Sequence, residues 1–152
     1  RIKQHNRVLN QAARIFRRLG CKTKLEVRFQ TSAWLRKPDL LVYGEGKASV
    51  ILDVQICSDF YDDPNTPHKA KVDYYKPRSK IGKGVELQTG KKLSFSSILI
   101  SWRGCFSPAS AIDLQRIGFN QSDLGLLAAI AVEHGAIIHR LFNSTVTKQY
   151  QL

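Results

Sequence analysis

The chain has 152 residues, with 24 Lys and Arg against 12 Asp and Glu, a net charge of +12 and a pI near 9.9. That length fits one domain, and a 43% hydrophobic fraction supplies an ordinary core. The charge favours a polyanionic partner, nucleic acid before an anionic membrane surface. No apolar run approaches the roughly 18 residues of a membrane span, so no membrane partner is expected. Cys21, Cys57 and Cys105 form no CxxC pair and no even disulfide set, which suggests a reducing compartment. The chain starts Arg1-Ile2-Lys3-Gln4-His5 and contains no Met, so it is read as a piece of a larger protein.

Residues 5–19 read as a helix. Val8, Leu9, Ala12, Ile15, Phe16 and Leu19 recur at three- and four-residue steps, and Gly20 is the expected C-cap. Its polar face carries Arg7, Arg14, Arg17 and Arg18, candidate phosphate contacts. Residues 24–30 alternate through Leu25, Val27 and Phe29, predicting a strand. Two more strands follow, the second running from Val50 to Ile56 with so little polar interruption that it should be central in its sheet. Residues 59–65 are a polar loop. Asn65 or Thr66 should cap a helix over 68–76 with Pro67 at its first position, and Pro77 stops it. Residues 78–92 look like a basic loop or loose hairpin. Residues 93–102 predict a strand, Ser107 to Ser110 the cap of a helix ending at Ile117, and 121–136 a second apolar helix buried along Leu124, Leu127, Ala128 and Ala131. The predicted order is α-β-β-β-α-β-α-α, an α/β domain.

The chemistry concentrates in the hairpin Pro38 to Val54. Two apolar runs flank Gly44-Glu45-Gly46-Lys47, yet each holds an acid, Asp39 and Asp53. A turn symmetric about Gly46 sets these two opposite each other, with Cβ atoms roughly 4.5–5.5 Å apart. Two buried carboxylates so close repel, and a hard divalent cation such as Mg²⁺ between them is the simplest remedy. Residues 1–37 carry eleven basic side chains and one acid. Residues 38–63 carry six acids and one Lys, and residues 69–92 eight basic side chains and two acids. An acidic centre between basic arms suits metal-dependent cleavage of a phosphodiester: carboxylates hold metal, the arms hold phosphate, and a cation steadies developing charge. Gln55, two residues past Asp53, carries no charge. The next helix places His68, Lys71 and Tyr75 on one face, so Lys71 is the candidate cation and Tyr75 a positioning group.

Each of these residues also has a purely structural reading. Asp39 could cap a turn after Pro38, Asp53 could pair with a core Arg or Lys, Lys71 could be solvated and Tyr75 could be core. His5, His68, His134 and His139 show no ligand spacing and are read as non-catalytic, with His68 kept open. Cys57 and Cys105 are read as inert fillers beside core strands, and Trp102 as core rather than a base-stacking platform.

The ordered set Arg36-Lys37-Pro38-Asp39-Leu40, Ile51-Leu52-Asp53-Val54-Gln55 and His68 with Lys71-Val72-Asp73-Tyr74-Tyr75 resembles the PD-(D/E)xK nuclease superfamily. Together with Arg1-Ile2-Lys3-Gln4-His5-Asn6, Trp102-Arg103-Gly104 and Ser107-Pro108-Ala109-Ser110, it is more closely similar to the restriction-like endonuclease domain of site-specific non-LTR retrotransposons. The best-known group of these inserts into ribosomal RNA genes. The resemblance covers nearly the whole chain.

It implies a restriction-endonuclease-like core with C-terminal helices, occupying residues 1–152 as one endonuclease domain of a larger polyprotein. The implied activity is a Mg²⁺-dependent DNA nickase, with Mn²⁺ the alternative metal, whose cut leaves a 3′ end that primes reverse transcription in the nucleus. Metal binding falls to Asp39 and Asp53, with Lys71 and Tyr75 beside them. Candidate DNA contacts are Arg7, Arg14, Arg17, Arg18, Arg36, Lys37, Lys69, Arg78, Lys80, Lys83 and Arg103. The implied partners are double-stranded target DNA and the reverse transcriptase and zinc-knuckle parts of the polyprotein. Two departures stand out: the usual Lys two residues after the second acid is Gln55, its role passing to Lys71, and the first helix lacks the Glu many members carry. A non-catalytic DNA-binding module and a junction-resolving or repair nuclease fit the same residues. Eight phosphate contacts would give either a log–log salt slope of about −7. Oligomeric state is left open.

Overall fold

The computed structural model describes residues 2–30, 35–44, 47–57, 63–75, 83 and 93–149, with the side chains of residues 2, 30, 35, 36, 47, 48, 75 and 142–149 outside that set. The elements in chain order are helix α1 (Ile2–Arg18), strands β1 (Lys22–Leu25), β2 (Phe29–Gln30), β3 (Leu35–Arg36), β4 (Leu40–Gly44) and β5 (Lys47–Cys57), helix α2 (Thr66–Tyr75), strand β6 (Leu93–Ser101), and helices α3 (Pro108–Ile117) and α4 (Gln121–Gln149). The main sheet has the order β1-β4-β5-β6. Its first three strands are antiparallel neighbours, and β6 joins β5 in parallel after the α2 crossover. This is a mixed α/β sheet with helices, an arrangement compatible with α/β nucleases.

Strand alternation divides the sheet into two faces. Leu40, Val42, Val50, Leu52, Val54, Ile56, Ile98 and Ile100 join Val8, Ala12, Phe16, Leu114, Leu127 and Ala131 in the larger core beneath α1, α3 and α4. Phe29, Leu41, Ile51 and Leu93 form a smaller cluster. Strand β5 is central, as its apolar run predicts.

Several expectations need correction. The single strand predicted over 24–30 is broken at Glu26, whose φ of +52° turns the chain, and Phe29 leaves to pair with Arg36 in a separate ribbon. Helix α2 starts at Thr66, and Asn65 does not cap it with its side chain. Asn65 Oδ1 instead accepts from Ser107 Oγ (2.9 Å) and Ala109 N (3.0 Å), bracing the start of α3. Asp63 accepts from Asn65 N (2.9 Å) and Thr66 Oγ1 (3.0 Å), a side-chain turn just ahead of the helix. The last helix runs on to Gln149 instead of ending near residue 136, leaving Ile137, Ile138 and Leu141 exposed. By length and composition its segment Gln121–Leu141 could cross a membrane (mean hydropathy 1.4), contrary to the expectation that no such run exists. Its buried stripe, Leu124, Leu127 and Ala131, nevertheless packs into the sheet domain. Of the basic loop over 78–92, only Lys83 is described, and it is exposed.

The open edge of β6 is closed by α3. Ser110 Oγ accepts from Leu99 N (3.0 Å) and donates to Ser97 O (2.6 Å), occupying ladder groups that would otherwise pair with another strand.

Candidate active site

Leu40 pairs with Leu52 and Leu41 with Ile51, so positions 39 and 53 form the next step of the same ladder. The facing of the two acids is therefore as the hairpin arithmetic predicts. The ladder does not keep that register to its end, however: a shift between Val42 and Gly44 pairs Gly44 with Lys47. Asp39 N donates to Asp53 Oδ1 at 3.3 Å, and Val54 N donates to Asp39 Oδ2 at 2.7 Å. The backbone thus ties each carboxylate to the other strand.

Two helices supply cations from different directions. Lys71 Nζ, on α2, donates to Asp53 Oδ2 at 3.1 Å. His5 Nε2, on α1, lies 3.0 Å from Asp39 Oδ2, while its Nδ1 lies 3.2 Å from Asn6 Oδ1. Both ring nitrogens face acceptors, which a doubly protonated imidazole satisfies. The Asp39 hydrogen bond, opposed by burial, pushes the His5 pKa above its usual value. Burial would raise the Asp39 carboxyl, but His5 and the Val54 amide outweigh it and hold it below the ordinary range. Asp53 is only 6% exposed. Burial pushes its carboxyl up despite Lys71, and Asp39 adds to the rise. The two acids are therefore driven in opposite directions by their surroundings, an asymmetry common where two carboxylates share a functional site.

Among the described residues no three His, Cys, Asp or Glu side chains form a ready metal cage. The donor set is two carboxylates. Mg²⁺ is commonly held by one or two carboxylates, with water and substrate phosphate completing its octahedron. The carboxylates of Asp39 and Asp53 match that donor chemistry, and in this structure His5 and Lys71 balance their charge.

The contact of His5 with Asp39 is not legible in the sequence: His5 has no ligand spacing, and its partner lies 34 residues away and is reached only when α1 packs. Its position on the first helix of a chain with no acid there was the one available signal. Tyr75 closes α2, but its side chain lies outside the described set, as does that of Arg36. Arg78 and Lys80 lie outside the described residues. Of the candidate DNA contacts, Arg7, Arg14, Arg17, Arg18, Lys37, Lys69, Lys83 and Arg103 are exposed, but several are engaged within the fold. Arg7 pairs with Glu133 (2.6 Å), Lys37 with Glu26 (2.8 Å), and Arg17 donates to Thr23 Oγ1 (2.9 Å). Arg18 makes two bonds, 2.7 and 2.6 Å, to Asp123, which is 3% exposed, so it serves the fold. Trp102 is not core: its ring is exposed, with the Arg103 guanidinium 4.9 Å from its centroid. Cys105 is exposed, not a core filler.

No family model matches the chain. Over 120 residues, 78% of its length, it is 28% identical to the "Retrovirus-related Pol polyprotein from type-1 retrotransposable element R2" of Nasonia vitripennis. Over 111 residues, 72% of its length, it is 29% identical to the corresponding polyprotein from type-2 retrotransposable element R2DM of Drosophila melanogaster. The matched regions are 12% and 10% of those polyproteins, so the chain spans about a tenth of the length of the curated relatives it matches. These homologies support a retrotransposon origin.

Proposed function

We propose that the chain is the restriction-like, PD-(D/E)xK-type endonuclease domain of a non-LTR retrotransposon polyprotein. It nicks target DNA in the nucleus so that the freed 3′ end primes reverse transcription. The observation that carries this reading is the buried Asp53 carboxylate, one ladder step from Leu52, facing Asp39 and bonded to Lys71. Asp39 and Asp53 would hold Mg²⁺ or Mn²⁺, which when bound polarises a phosphate and activates water. Lys71 steadies negative charge on the phosphate oxygens. The Val54 amide fixes the orientation of Asp39. Arg14, Lys69 and Lys83, which are exposed, would meet phosphates, and the polymerase and zinc-knuckle parts of the polyprotein would choose the target.

A DNA-binding module without catalysis is favoured by one observation. His5 and Lys71 already balance the two carboxylates, so the acids have a structural use without metal. Supercoiled plasmid incubated with the chain, in Mg²⁺ and in EDTA, separates the readings. Mg²⁺-dependent relaxed circle that disappears with Asp53→Ala supports the nuclease. Salt-sensitive binding with no nicking by either protein supports the module.

A further inference from the structure

Helix α2 carries Lys71, yet its described side chains bury little apolar surface on the sheet. Among its described side chains only His68 is buried, at 6% exposed, while Val72 is half-buried and Ala70 and Tyr74 are exposed. A helix this short is marginal unless tertiary contacts hold it. Its hold is polar. His68 Nδ1 lies 2.8 Å from Ser97 Oγ, and Ser97 is fully buried on β6. His68 Nε2 lies 3.2 Å from Asp113 Oδ2 on α3, and the same oxygen accepts from Ser96 Oγ at 3.1 Å. A Ser-His-Asp series of this kind could suggest acyl transfer, but a hydroxyl with no exposed surface cannot meet a substrate.

The register gives the series its use. Ser97 is the partner of Asp53 across the parallel β5–β6 ladder. His68 and Lys71 are three residues apart on one helix face. The helix is therefore pinned at two points of one sheet level: His68 on Ser97 of β6, and Lys71 on Asp53 of β5. We infer that His68 is a positioning residue, which with Ser97 and Asp113 sets α2 on the sheet so that the Lys71 ammonium reaches Asp53. This rests on the endonuclease reading for its catalytic consequence, though not for its geometry.

The test measures both. Brief acylation of the metal-free chain, followed by peptide mapping, reports the protection of Lys71, with Lys37, paired to Glu26, as an internal control. His68→Ala is expected to raise Lys71 labelling severalfold with Lys37 unchanged and a cooperative melt retained. His68→Asn, which keeps a polar group near the Nδ1 position, should restore part of the protection. In Mg²⁺-dependent nicking, kcat should fall by about 10- to 100-fold with KM for DNA little changed, as expected for a misplaced catalytic group. Unchanged Lys71 labelling and unchanged kcat in folded His68→Ala overturn the inference. If wild-type chain fails to nick, increased Lys71 labelling still upholds the positioning role and sinks the nuclease reading alone. Should His68→Ala not fold, Ser97→Ala and Asp113→Asn carry the same labelling test, and protection that persists in both overturns it.

Discussion

Asp53 sits under opposing forces. Removal from water disfavours its charge, Lys71 favours it, and the nearby Asp39 carboxylate disfavours it again, with a net rise in pKa. A carboxyl whose pKa is raised by folding costs stability above that pKa and gives the cost back as pH falls through it. Where Asp53 is ionised the cost is present. Asp53→Asn keeps an Oδ1 acceptor for the Asp39 amide and removes the charge, so its thermal midpoint at pH 7 should equal or exceed that of the wild type, by roughly 1 kcal/mol in stability. The same variant should lose Mg²⁺-dependent nicking. A clear drop in the midpoint would show that the Lys71 pair outweighs desolvation. The aspartate is legible in the sequence because an acid in a run from Val50 to Ile56 needs a reason. The histidine across from Asp39 is not, because its side chain occupies an ordinary exposed-face position until α1 docks.

At the level of elements, α4 is anchored by its first turn. Asn120 and Asp123 exchange bonds of 3.0 and 2.9 Å between side chains and backbone amides, a reciprocal cap, and Arg18 of α1 closes on Asp123. Burial would raise the Asp123 carboxyl, but the Asn120 amide and Arg18 outweigh it and the pKa is lowered. A carboxylate depressed by folding contributes stability above its unfolded pKa, and this is lost as pH falls through the folded pKa. Asp123→Ala should therefore cost about 1–2 kcal/mol near neutrality in urea unfolding, since it uncaps the helix and removes the partner of the half-exposed Arg18. The deficit should begin to shrink as pH falls below the unfolded value of about 3.9, and go on shrinking until the lowered folded pKa is passed. A deficit independent of pH would point to packing alone. Helices α1, α3 and α4 were readable from apolar periodicity and capping residues. The break at Glu26 was not, because Leu25, Val27 and Phe29 alternate as a strand should, and only the departure of Phe29 to Arg36 turns the chain there.

Over the whole molecule, the net charge of +12 does not translate into an equal number of phosphate contacts. Arg7 and Arg18 are held by Glu133 and Asp123 in the fold. The log–log salt slope of duplex binding should be shallower than the −7 expected from eight contacts, nearer about −5 for six. Lys69→Ala and Arg14→Ala should each weaken binding without changing stability, and reduce the slope by about 1. Arg18→Ala should do the reverse, lowering stability with little change in slope. A slope change for Arg18→Ala equal to that for Lys69→Ala would return Arg18 to the interface.

By itself the sequence determined the two-faced β4–β5 ladder, the facing of Asp39 and Asp53 within it, and the helix that carries Lys71. These follow from alternation, helical period and a short connection, all of which act over fewer than about 20 residues. The tertiary structure alone decided the rest. The parallel β5–β6 pairing sets Ser97 beside Asp53, α1 brings His5 to Asp39, and α3 turns Asp113 toward His68. Those partners are 34 to 45 residues apart. At such separations local pattern carries no information about contact, and the burial of a shared core chooses which polar groups must satisfy one another.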